Sequence, residues 1–168
     1  MSSWRFPVAV LLPMAFCLAC AAPLLIGQDD RADFSRYRSF AFAPPSAGSG
    51  APGGAEIDQA VRSAVTEELA PKGLAPAQAS PADLLVSYSA ISNDGVTYGG
   101  VARPWAFGNL EEDPSTSEGS LTLQLVDSQR NRVVWEGVAK RVIGTAGASQ
   151  PRIHDAVKAL LMRYPGKR

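Results

Sequence analysis

Cysteine is nearly absent from this chain, and the positions of the two that occur say most about what is excluded. Both, Cys17 and Cys20, fall in the N-terminal segment. From Ala21 onward there is none, so the bulk of the chain has no disulfide, no thiolate nucleophile and no cysteine metal cluster. Histidine is equally scarce. His154 is the single one, so any Ser-His-Asp or Cys-His machinery would have to use it. No histidine pair exists to start a zinc site. An excess of one charge is also missing, because 16 Lys and Arg balance 16 Asp and Glu. Nothing is left over to neutralise phosphates, and nucleic acid is not expected as a partner. Charged residues make up 19% of the 168, below the ~25% of a typical soluble domain. Part of that deficit comes from an uncharged N-terminus.

That N-terminus has the three-part layout of a secretory signal. Arg5 is a short positive region, and no residue from Phe6 to Ile26 is charged. Val8-Ala9-Val10-Leu11-Leu12 is the apolar centre, and Ala19, Cys20, Ala21 and Ala22 are the small residues that follow. Three outcomes are open. Leu18-Ala19-Cys20 can serve as a lipobox, with the Cys20 sulfur carrying diacylglycerol, although the usual leucine position holds Cys17. Ala19-Cys20-Ala21 can serve as an A-x-A-like site that releases a soluble periplasmic protein. The uncharged run is also just long enough to span a bilayer uncleaved, but Pro7, Pro13 and Pro23 interrupt it. The lipobox reading makes Cys20 the candidate lipidation site and the membrane a partner through the anchor. Ala21 rather than Asp after it points to the outer membrane, facing the periplasm.

The rest divides into a tether over 23–35 and one domain over 36–165. Tyr37 to Phe42 reads as a strand, with Phe40 and Phe42 on one face. A Gly/Pro/Ser linker follows from Ser46 to Ala55. A helix is predicted from about Glu56 to Ala70, with Ile57, Ala60, Val61, Ala64, Val65 and Leu69 forming its apolar stripe and Pro71 and Gly73 stopping it. In the strand from Asp83 to Ile91, Leu84, Val86, Tyr88 and Ala90 point one way. Leu85 and Ile91 point the other, beside Ser87 and Ser89. Ser120 to Val126 and Arg132 to Ile143 alternate as a hairpin around Asp127-Ser128-Gln129-Arg130-Asn131. A last helix is predicted from about Pro151 to Tyr164, capped by Ser149 or Gln150. The expected fold is α+β, a mostly antiparallel sheet of about four strands with two helices packed on one face. Between the second strand and the hairpin lies a loop, 93–119, too long to be a plain connection.

Four stretches carry a family likeness. Ala32-Asp33-Phe34-Ser35-Arg36-Tyr37-Arg38-Ser39-Phe40-Ala41-Phe42 opens the domain. Glu68-Leu69-Ala70-Pro71-Lys72-Gly73-Leu74 closes the first helix. Ala82-Asp83-Leu84-Leu85-Val86-Ser87-Tyr88 is the second strand. Gly119 to Asp127 with Val133-Val134-Trp135-Glu136-Gly137 is the hairpin. In this order they resemble the DUF4136 family of bacterial envelope lipoproteins. The resemblance implies a lipoprotein-like location. It implies no activity, because the family is defined without one.

No residue set announces chemistry. His154 lies beside Arg152 and Asp155 on the face opposite Ile153 and Val157, the place of a solvated histidine. Glu111, Glu112 and Asp113 lack the alternating spacing of a calcium loop. Gly95, Gly99 and Gly100 do not open a helix after a strand, as a phosphate cradle requires. Trp135 is expected to pack in the core. Tyr98, Trp105 and Phe107 in the long loop are the candidate partner contacts, unless that loop tucks its own aromatics onto the domain. The expected function is a non-enzymatic envelope lipoprotein with a periplasmic interaction domain, a possible envelope-protein partner, no cofactor and no metal. The alternative is a small-ligand or lipid-binding module that uses the space between sheet and helices.

Overall fold

A computed structural model describes residues 23–44, 52–78, 81–99, 105–107, 114–145 and 149–166. The N-terminal segment read as a signal, with Cys20, and the acidic run 111–113 lie outside the described residues.

The strands are β1 (Leu24–Gln28), β2 (Ser39–Phe42), β3 (Ala75–Pro76), β4 (Leu84–Ile91), β5 (Thr97–Gly99), β6 (Leu121–Asp127) and β7 (Arg132–Ala139). The helices are α1 (Gly54–Leu69) and α2 (Gln150–Leu161). All seven strands form one sheet in the order β1-β7-β6-β4-β2-β3, with β5 also paired to β4.

This overturns the expectation of about four antiparallel strands. The sheet is mixed, because β2 runs parallel to both β4 and β3. A parallel neighbour needs a crossover, and α1 lies on the connection between β2 and β4. Three strands escaped the pattern for different reasons. β1 sits in the stretch read as signal and tether, and its apolar run is explained by five antiparallel pairs with β7, Leu24↔Ala139 through Gln28↔Trp135. β3 has two residues, too few for any period. β5 returns along the end of β4 that β2 does not cover, after a turn in which the Ser92 amide donates to the Val96 carbonyl (2.9 Å).

Period-two patterning sorts the sheet into two faces. Val86, Leu125 and Trp135 lie side by side on one face, as do Tyr88, Leu123, Gly137 and Ile26, then Ala90, Leu121, Ala139 and Leu24. The helices cover this face. The α1 stripe is buried as read, and Asp58 on α1 accepts from the Tyr88 hydroxyl (2.7 Å). A 3-10 turn over Ala70–Lys72 and a left-handed Gly73 end this helix. α2 begins after an extended Ser149, with Pro151 in its first turn, where the missing N–H costs nothing. Gly137 lets it approach, since a Cβ there would lie 2.9 Å from Leu160 Cδ2. Trp135 is fully buried, with Tyr164 edge-on at 6.0 Å between ring centroids. No described helix is long and apolar enough to cross a membrane.

Candidate functional site

The opposite face of the sheet is unusual in being buried and polar. Ser87, Gln124, Glu136 and Gly27 lie side by side across four strands, with Ser89, Thr122, Val138 and Leu25 beside them. Gln124 and Glu136 are fully buried. A carboxylate out of water must be hydrogen-bonded or it destabilises the fold. Glu136 accepts from Gln124 Nε2 (2.7 Å) and from the Ala106 amide (3.0 Å). The second bond fastens the segment Trp105-Ala106-Phe107 onto the sheet. Phe107 lies over Gly27 so closely that a Cβ there would sit 2.4 Å from the ring. Trp105 donates its indole N–H to the Phe107 carbonyl, and the two rings meet edge-on.

The candidate contacts therefore divide. Trp105 and Phe107 are partly buried against their own sheet, while Tyr98 on β5 is 6% exposed and belongs to the core. The span 93–119 is not one structureless loop, since it holds β5 and a 3-10 turn over Pro114–Thr116. Cys20 lies outside the described residues. His154 is not merely solvated, because its Nε2 is 2.9 Å from Glu67 Oε2, joining α2 to α1. That contact holds the Glu67 carboxyl below its ordinary pKa, helped by Ser63. No cluster of three or more metal-ligating side chains occurs among the described residues.

A second polar place was missed by sequence reasoning. At the end of the sheet where β1 and β6 finish and β4 and β7 begin, a cleft of about 140 Å³ is lined by Arg31, Ala32, Asp33, Arg36, Tyr37 and Asp83, and by Asp127, Gln129, Arg130 and Arg132. Its floor is Asp127, 2% exposed. This carboxylate accepts from the Tyr37 hydroxyl (3.0 Å), the amides of Gln129 (3.0 Å) and Arg130 (2.9 Å), and the Arg130 guanidinium (2.7 Å). Burial acts to raise the Asp127 pKa, but the bonds from Arg130 and Tyr37 outweigh it and leave the carboxyl below its usual range. The Tyr37 phenol is pushed up to about 12 by burial and by donating to Asp127. Asp83 is held low, first by the Arg38 amide (2.8 Å), then by the Ser39 amide and hydroxyl (3.0 Å each). The one signal that could have found the cleft was Asp127 at a strand end before a turn, a place where aspartate bonds the following amides.

A model for a domain of unknown function, DUF4136, matches residues 27–166. The chain belongs to the DUF4136 family. No curated protein matches it significantly. Among solved structures, this DUF4136 chain is similar to a PDZ domain protein from Parabacteroides distasonis, with TM-score 0.57 and 17% identity over 88% of this chain. It spans only 36% of that protein's length, and the likeness concerns the fold alone. Two crystal forms of a PelC dodecamer from Paraburkholderia phytofirmans align with TM-score 0.48 and 12% identity, over 87% and 86% of this chain and all of theirs.

Proposed function

We propose that this DUF4136 chain is a non-enzymatic lipoprotein, acylated at Cys20, whose domain binds an envelope partner at the periplasmic face of the outer membrane. The location rests on the signal-like N-terminus. The observation that favours a binding surface over a lipid carrier is the tightness of the layer between sheet and helices. Leu123, Trp135 and Leu160 are fully buried there, and even a methyl group at Gly137 would be crowded by Leu160. A carried lipid would need a pocket of roughly 300 Å³ or more in that layer. An open depression of about 400 Å³ beside Ala41, Ala77, Leu85 and Ser128 lies on the surface instead. The partly exposed rings of Trp105 and Phe107 are the proposed contacts.

Incorporation of a clickable palmitate analogue in a bacterial host tests the anchor, with Cys20→Ala as control. Label in the wild type and none in the variant is expected. An exported wild type that takes no label would refute acylation. A photo-crosslinker at the exposed position 106 tests the contact, with one discrete envelope partner as the expected product. Crosslinks only within the chain would sink the assignment of this segment.

A further inference from the structure

The cleft at the sheet end is lined by four arginines and three aspartates, but the two sets are not equally committed. The carboxylates are all engaged internally. Asp127 takes four hydrogen bonds, Asp83 takes three, and Asp33 is engaged by the amide (3.1 Å) and hydroxyl (2.6 Å) of its neighbour Ser35. Two guanidiniums are also spoken for: Arg130 on Asp127, and Arg132 on Asp29 at 2.6 Å. Arg31 and Arg36 are left. Both are exposed cleft residues, and neither side chain makes a hydrogen bond or ion pair among the described residues. Arg36 lies within electrostatic reach of Asp33 without bonding it. The mouth of the cleft thus carries spare planar donors, while each of its three carboxylates already accepts two or more hydrogen bonds from its own chain.

We propose that this cleft binds an oxyanion, a phosphate or carboxylate group of a soluble molecule, held by Arg31 and Arg36 with Arg130 beside them. Guanidinium forks match both groups in a two-point geometry. The volume suits a small anionic head and not an extended polymer. The choice of a soluble source over a lipid headgroup rests on the anchor reading. Cys20 precedes Pro23 by three residues in sequence, and β1 carries the chain about 17 Å from that end before Arg31 is reached. The cleft therefore lies at the sheet end opposite Pro23, where the candidate anchor joins the domain. The oxyanion assignment itself does not depend on acylation.

The test is a backbone-amide NMR titration of the full chain in neutral detergent. The probes are inorganic phosphate, citrate, and phosphatidylglycerol mixed into the detergent micelles, each against sodium chloride at equal ionic strength. Saturable shifts with phosphate or citrate at Arg31, Asp33, Gln129 and Arg130 are expected. Affinity should fall at least tenfold in Arg31→Ala/Arg36→Ala, and less in the double lysine variant, which keeps charge without the fork. The variant's unchanged spectrum elsewhere checks its fold. The site is overturned if no probe produces saturable shifts there, or if the folded alanine variant binds as well as wild type. A response to phosphatidylglycerol alone would overturn the soluble source. Palmitate labelling of the same protein separates that outcome from a failed anchor reading.

Discussion

The two faces of this sheet are built from the same strands and both bury their central residues, yet they are held in different ways. The helix face is closed by Leu121, Leu123, Leu125 and Trp135 meeting α1 and α2, and its stability comes from apolar burial at about 1.5–3 kcal/mol for each large side chain. The other face presents Ser87, Thr122, Gln124 and Glu136, and a short segment covers it by supplying an amide to a carboxylate. Apolar packing tolerates rearrangement. A buried carboxylate tolerates only a cover that brings donors in the right place. The polar face therefore specifies where residues 105–107 sit, whereas the apolar face specifies how much the fold is stabilised.

The largest effect is expected on the helix face. Trp135→Ala should cost about 3–5 kcal/mol in urea unfolding, and a loss below about 1 kcal/mol would mean that Tyr164 and Leu160 collapse into the space. On the polar face, Glu136→Ala leaves the Gln124 amide and the Ala106 N–H short of an acceptor and should cost about 1–3 kcal/mol. Unlike Trp135→Ala, it should also open the 105–107 segment to limited proteolysis at low denaturant. If both variants leave that segment equally protected, the polar face does not hold it.

The cleft lies between these extremes. Asp127→Asn removes the charge that accepts from Arg130 and Tyr37 and should cost about 1 kcal/mol at pH 7. The folded Asp127 pKa is depressed, so its contribution is complete above the unfolded value of about 4 and fades as pH falls through the folded pKa. The stabilities of the wild type and of the Asp127→Asn variant, read from urea midpoints between about pH 2 and pH 7, should accordingly converge in acid; a constant gap would remove the charge argument. The smallest effect belongs to the exposed contact between the helices. His154→Ala should leave the urea midpoint where it is, because Glu67 is 61% exposed and well solvated without a partner. A clear midpoint shift would show that the helix pair is held by more than its apolar stripe.

Much of the helix face was legible beforehand. The stripe of α1, the inward set Leu84, Val86, Tyr88 and Ala90, the hairpin of β6 and β7, and the burial of Trp135 all follow from period and turn chemistry acting over a few residues. Three strands were not legible. β1 looks like the end of a signal segment until β7 is there to pair with it, and β3 and β5 are too short to show a period. The parallel pairing of β2 with β4 is invisible along the chain, because direction is settled by where α1 returns the chain. The cleft eluded the sequence for the same reason. Arg31 with Tyr37, Asp83 and Asp127 come from three well-separated stretches of sequence, and nothing local marks those stretches as neighbours.

By itself the sequence determined which segments turn apolar faces inward, and which chemistries lack the residues to exist, since both are properties of residue type and short-range spacing. Only the tertiary structure decided the partners of those segments. It brought a glutamate on β7 under the amide of Ala106, and gathered four arginines at one sheet end while giving each aspartate among them donors from its own chain. Register, strand direction and charge compensation depend on contacts between distant residues, and those exist only once the chain has closed on itself.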